Sequence, residues 1–445
     1  MKFDLTKHEI KKNAILNATY QCIFVQGIAG ISMRSIAKEA KVNQPTLHYY
    51  FKTRENLLTE LIKALFDRFL YDITRAVIPS DQPERKLNTL IGSLRTHIAQ
   101  EKEMMVVFVE VWSYAIKNPA LQKLFASLYA GLYEVIGNIL DEGVKERVFN
   151  DPGRNVFSVF FMIFVEGLGL LWHMRERCFD KMQLFDLFVK DLRGLLAEKH
   201  LPKIDVETAA KTPLSDRRDS DKKRGPVRLK VAKGDTKRDD LINATLQCIY
   251  ALGAEEVSMR CIAKEANVNQ ATVHYYFQNK ENLLTECLQA LFNQFVFDIE
   301  RQYKTSDPPE KKLDAIFFAG RTFVGKQKEL FVIFMHCWAL SIRNPIMHKK
   351  FSDLYEKITG VIEQILTEGY RTGAFHKVAV TTLANYIVAF VEGIGCQWLM
   401  TSGAFDLNQF FEFFITHCKR LIVKEPQKAT PSPTTWQYTP HQLAR

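Results

Sequence analysis

Two stretches carry most of the candidate chemistry: QPTLHYYFKTRENLL at residues 44–58 and QATVHYYFQNKENLL at 270–284. On a helical wheel started at Gln44, the residues Leu47, Tyr50 and Phe51 share one side. Gln44, Pro45, Thr46, His48 and Tyr49 share the other. A face of amide, hydroxyl, imidazole and phenol groups, with Arg34 ahead of it, has the donors and acceptors that base edges and phosphates require. Arg54 opens the next helix, where a cation and the helix amino terminus together attract a phosphate. Tyr50, although on the other side of the wheel, is kept in the candidate set. The second stretch repeats it as Arg260, Gln270, Ala271, Thr272, His274, Tyr275, Tyr276 and Lys280. There is no nucleophile–base pairing, glycine-rich phosphate loop or HExxH run, so the sequence reads as a binding protein and not an enzyme.

The elements that must position these side chains are short helices. Ser32 precedes MRSIAKEA and can cap a helix by accepting an amide hydrogen bond. KVN then breaks that helix, and Asn43 can cap the next, with Pro45 in a first turn where a missing amide costs little. Two short helices joined by a three-residue turn make a helix-turn-helix. Elsewhere apolar residues recur at three- and four-residue spacing, as in FASLYAGLYEVIGNIL, and the fold class expected is all-α.

The chain repeats itself at an offset of 226. IAKEA recurs at 36 and 262, ENLLTE at 55 and 281, Trp at 112 and 338, and Glu-Gly at 166 and 392. Between residues 32–60 and 258–286, 22 of 29 positions are identical, against 8 of 20 between 101–120 and 327–346. The helix-turn-helix segment is therefore the more constrained part of each unit. The division expected is a DNA-binding domain at 8–68 (motif 32–51), a sensing and dimerisation domain at 69–199 and a linker at 200–233. A second DNA-binding domain at 234–294 (motif 258–277), a second sensing domain at 295–424 and a disordered tail at 425–445 follow.

Of the net charge of +10, residues 200–238 supply twelve Lys or Arg against six Asp or Glu. That segment reads as a solvated tether that can also track phosphates. Eight cysteines without a CxxC pair, no zinc-finger spacing and no secretory leader predict a reduced, cytoplasmic chain with no metal and no cofactor. The most apolar run, VFSVFFMIFV, is half of what spans a bilayer before Glu166 interrupts it, so a buried helix and no membrane association are expected.

The run ISMRSIAKEAKVNQPTLHYYFKTRENLL, preceded by Gly27, resembles the DNA-binding domain of the TetR family of transcriptional regulators, and the second unit matches it in the same way. The resemblance covers both units and implies a repressor that binds a double-stranded operator and is released by a small-molecule effector. Family members pair two subunits, so the resemblance implies pairing of the two units within one chain on a pseudo-palindromic operator, with further homodimerisation open. A protein-interaction adaptor of the same fold is the alternative. Three positions depart from the family pattern: Lys41 and Asn267 replace the turn glycine, His48 and His274 replace the first aromatic, and Arg54 replaces a lysine that Lys280 keeps.

In the sensing domains the candidate effector residues are Phe108, Glu110, Trp112, Glu166 and Trp172, with Phe334, Trp338, Glu392 and Trp398 in the second unit. Aromatics at helical spacing often form core. A carboxylate interrupting an apolar helix either sits at the interface between the units, satisfied by an amide, hydroxyl or basic partner, or faces a ligand, and with Trp beside it would then suit a cationic or amine-bearing compound.

Overall fold

The computed structural model describes residues 7–116, 118–174, 179–197, 229, 236–401, 403 and 405–422. All but Leu229 of the expected linker at 200–233, and the whole tail at 425–445, lie outside them. The described residues form helices and no sheet. In the first unit these are α1 (Lys7–Gly30), α2 (Met33–Glu39), α3 (Gln44–Tyr50), α4 (Arg54–Thr74), α5 (Pro83–Gln100), α6 (Lys102–Ala115), α7 (Pro119–Lys145), α8 (Arg154–Met174) and α9 (Lys181–Ala197). In the second they are α10 (Thr236–Leu252), α11 (Met259–Glu265), α12 (Gln270–Phe277), α13 (Lys280–Glu300), α14 (Pro309–Gly325), α15 (Lys328–Ser341), α16 (Pro345–Arg371), α17 (Val380–Met400) and α18 (Leu407–Ile422).

Side-chain caps set where the short helices begin. Ser32 accepts from the Ser35 amide at 3.1 Å and its own amide donates to Ser35 Oγ at 2.8 Å, a reciprocal box. Asn43 Oδ1 accepts from the Thr46 amide at 2.8 Å, and Asn269 does the same for Thr272 at 2.7 Å. Between α2 and α3 the chain reverses through Lys41 at φ 53°, and between α11 and α12 through Asn267 at φ 52°. Both therefore take a left-handed conformation that glycine adopts most readily, and the lysine bears a larger steric penalty than the asparagine. Gly27, at φ 76°, kinks α1 three residues before its end. Leu47, Phe51, Leu57 and Leu58 then close a small core beneath α3.

The boundary expected at 68/69 falls inside α4, which belongs to both the reading head and the body. Two helices, α8 and α17, are long and apolar enough to cross a membrane, and nearly all of each is buried. Much of that burial is mutual: α8 and α17 pack side by side and bring the bodies of the two units together. Their glycines explain the closeness. A Cβ on Gly167 would lie 1.8 Å from the Ala389 carbonyl oxygen, and one on Gly393 would lie 1.8 Å from that of Ile163. Ala389 and Ile163 are themselves 226 residues apart, so the contact is reciprocal. Around it α9 packs on α17, α6 on α15, α8 on α16 and α17 on α7.

Candidate nucleic-acid interface and sensing cavities

The reading face stands out from both heads. Gln44, Pro45, His48 and Tyr49 are exposed, as are Gln270, Ala271, His274 and Tyr275. Tyr49 is 74% exposed and Tyr275 83%, whereas Leu47 and Val273 on the opposite side of each helix are at 0%. Thr46 and Thr272 are half-buried beside their capping asparagines. Tyr50 and Tyr276 are also half-buried, and Tyr50 packs its ring on His8 at 4.7 Å, so its body supports the face more than it extends it. Arg34 and Arg260 are exposed on the preceding helices.

His48 and His274 have a local task. Nδ1 of each faces a carbonyl at the end of its own helix, Lys52 at 3.3 Å and Gln278 at 3.0 Å. A neutral imidazole that donates from Nδ1 leaves Nε2 as an acceptor, and in the second unit that atom lies 3.3 Å from the Gln270 amide nitrogen. The ring thus orients the glutamine that would meet a base edge.

Arg54 and Lys280 are not on the reading face. Arg54 donates to the carbonyl of Ile28 and lies over the Tyr114 ring at 5.6 Å. Lys280 Nζ donates to the carbonyl of Glu255 at 2.6 Å, and burial lowers its pKa. Both cations bind carbonyls just after the kink of the first head helix or its counterpart, where unpaired backbone acceptors are concentrated. Sequence spacing placed them at a helix amino terminus but carried no sign of this inward turn.

Each body holds a cavity of about 60 Å³. Phe108, Trp112, Glu166 and Trp172 line the first, and Phe334 and Glu392 line the second. Glu110, Trp338 and Trp398 line neither of these two, although Glu110 borders a larger cavity between the units, beside Arg54, Ser113 and His336. Glu110 lies two residues from both Phe108 and Trp112, which on a helix turns it to the opposite face. There it accepts from the Ile28 amide at 3.0 Å and pairs with Arg343 of the second unit. Trp338 is fully buried and meets the ring of His173 across the units at 6.4 Å. Trp398 is half-buried away from the cavity.

The two buried carboxyl groups are alike in part. Tyr129 donates to Glu166 Oε1 and Tyr355 donates to Glu392 Oε1, while Oε2 of each is buried without a protein partner. Burial pushes both carboxyls up to about 8, although the tyrosine hydrogen bonds pull the other way. The indole nitrogens of Trp112 and Trp172, two residues that line the first cavity, are also buried without a hydrogen-bond partner. The linings then diverge. His97, Met105 and Met162 of the first cavity are replaced at the equivalent positions by Phe323, Phe331 and Val388 of the second. Glu166 Oε1 also accepts from Gln397 of the second unit at 2.6 Å, and Glu392 has no such link. Gln397 and these lining differences escaped the sequence reading; comparing the two units position by position for exchanges of polar and apolar residues would have marked them.

A pair of helix-turn-helix heads on helical bodies with internal cavities defines a DNA-binding transcriptional regulator. The model of bacterial regulatory proteins of the tetR family matches residues 15–61 and 241–287, and that of the BetI-type transcriptional repressor C-terminal domain matches 83–197 and 309–423. The chain belongs to the TetR family, with two tandem units, and is not an enzyme. Among curated proteins it is 23% identical over 170 residues to a fatty acid metabolism regulator protein of Bacillus subtilis, spanning 38% of this chain and 86% of that one. It is 25% identical over 190 residues to the regulator BetI of Pseudomonas fluorescens, spanning 40% and 90%. Similar solved structures include a regulator from Saccharomonospora viridis in complex with choline, at 20% identity and TM-score 0.40, covering 43% of this chain and all of that one. Another is the fatty acid degradation regulator FadR from Bacillus halodurans, at 22% identity and TM-score 0.37, covering 43% and 96%.

Proposed function

We propose that one chain acts as a covalent pseudo-dimer: a repressor whose two heads read the two halves of a pseudo-palindromic operator and which a small-molecule effector releases. The observation that carries this reading is the matched exposure of Gln44, His48 and Tyr49 with Gln270, His274 and Tyr275, on heads joined to bodies that meet along α8 and α17. DNA readers of this type place one recognition helix in each of two successive major grooves, with half-site centres about 34 to 36 Å apart. Pro45 against Ala271, both exposed, makes the two reading helices related but unequal, so the half-sites should agree at their centres and differ at one or two positions. The basic stretch at 200–233 would serve as tether and add non-specific affinity.

For the effector, a carboxyl oxygen without a partner inside an aromatic cavity supports a compound with an amine or other hydrogen-bond donor on an apolar body. Small-molecule sites usually hold a few hundred Å³ or more, so binding would have to displace side chains. Met105 and Met162, unbranched and adaptable, make the first cavity the easier to open.

Native mass spectrometry of the chain with operator DNA, combined with a footprint, tests the reading. One chain on one pair of half-sites is expected. Two chains on a single pair would overturn the pseudo-dimer.

A further inference from the structure

The contact between the bodies is twofold-symmetric in its backbone. Gly167 meets Ala389 and Gly393 meets Ile163, the reciprocity that an isologous interface requires. Its polar contacts are not symmetric. Asp191 and His417 occupy equivalent positions, 226 residues apart, and face each other directly, with Oδ1 and Nδ1 3.5 Å apart. Both are almost completely buried, and Tyr386 donates to Asp191 Oδ2. The counterpart of Tyr386 in the first unit is Phe160, which has no hydroxyl to give.

The same one-sidedness recurs along the interface. Gln397 donates to Glu166 and accepts from Tyr133, yet its counterpart is Leu171. Arg343 pairs with Glu110 and donates to the carbonyls of Ile23 at 2.7 Å and Phe24 at 3.1 Å, and the counterpart of Glu110 is His336. A pair built from two copies of the first unit would set Asp191 against Asp191 with Phe160 beside it: two buried carboxylates and no donor. It would also leave Glu166 facing leucine. A pair built from two copies of the second would set His417 against His417, and Arg343 against His336. Like charges or unpaired polar groups in a dry interface are strongly unfavourable, and specific pairings commonly rely on such mismatches against the wrong partner.

We infer that the interface is written for heterotypic pairing: each body recognises the other unit and rejects a copy of itself, with Asp191–His417 at the centre of the code. The inference rests on the proposed pairing of the two units and adds its selectivity.

The test uses the full chain with a protease site placed in residues 205–225. Isotopically light and heavy preparations are cleaved, unfolded together in urea, refolded by dilution and weighed by native mass spectrometry. Only dimers of one first and one second unit are expected, in light and heavy combinations. Like-with-like dimers at the frequency of random pairing would overturn the selectivity, whereas folded monomers alone would overturn the pairing itself. The uncut chain supplies the second measurement, which stands even where cleaved halves refold poorly. Asp191→His and His417→Asp should each lower the melting temperature, and the doubly exchanged chain should be more stable than either single variant. A double variant no better than the worse single one would refute the role of this pair.

Discussion

Replacing the two cavity carboxyls by their amides should remove a specific part of the pH dependence of stability. Glu166 and Glu392 titrate near 4.5 when unfolded and are pushed up to about 8 in the fold. An acid whose pKa rises on folding holds its proton more tightly in the native state. Its contribution is complete below the unfolded value and disappears as pH rises through the folded one. With a folded value about one unit above pH 7, each group retains between about 1 and 2 kcal/mol at pH 7 relative to its ionised limit and next to nothing at pH 9. The two together amount to roughly 3 kcal/mol over that interval, taken as independent sites.

Glutamine preserves the acceptor that Tyr129 and Gln397 use at Glu166, and the one Tyr355 uses at Glu392, without a charge to desolvate. Urea denaturation at pH 7, 8 and 9 should therefore show the parent chain losing stability with rising pH, and the Glu166→Gln, Glu392→Gln double variant losing about 3 kcal/mol less. Each single variant should recover about half. All other titratable groups are common to the parent and its variants, so the difference isolates the carboxyls. A double variant with the full pH dependence of its parent would show that these groups are hydrated or paired, and the argument for a ligand-facing carboxyl would fall with it.

Two further outcomes bear on the reading face and on the contact between bodies. Tyr49→Ala and Tyr275→Ala should weaken operator binding in a fluorescence anisotropy titration with melting almost unchanged, because both rings are mostly in solvent, whereas Leu47→Ala should lose about 2 to 5 kcal/mol of stability; equal losses from Tyr49 and Leu47 would refute the assignment of faces. Gly167→Ala should lower the melting temperature sharply, since its methyl would overlap the Ala389 backbone, while Gly131→Ala, with open space around it in α7, should be neutral or stabilising by up to about 1 kcal/mol; a well-tolerated Gly167→Ala would mean that α8 and α17 do not approach so closely in solution.

The fold was legible because its signals are local and periodic. Ser32, Asn43 and Pro45 announce helix starts within four residues, and the alternation of Leu47 and Tyr49 separates core from surface without any tertiary information. The 226-residue offset exposed the duplication for the same reason: it needs only the chain itself. What stayed hidden depends on direction in space. Arg54 and Lys280 have the charge and the position of phosphate ligands, but which way a long side chain turns is decided by the carbonyls near the kink at Gly27, 27 residues earlier in the chain. Glu110 shares a helix and a composition with the cavity residues, and only the rotation of α6 sends it to Arg343.

The interface shows why duplication is more than two copies on one thread. In a pair of identical subunits any residue on the twofold axis meets itself, so a buried acid there is costly and a complementary pair is impossible. Once both subunits lie in one chain, the two positions can change independently. Asp191 facing His417 is such a pair, and Gln397 reaches Glu166 from a helix whose partner carries Leu171, so that this contact is made on one side only. The same freedom applies to the cavities, where Met105 and Met162 have become Phe331 and Val388 while both glutamates remain. The first body thus keeps an adaptable lining with a polar link to its partner, and the second keeps a stiffer one without it. An effector entering the first cavity and engaging Glu166 would disturb a hydrogen bond that belongs to both units at once, whereas one entering the second would disturb only Tyr355 of its own.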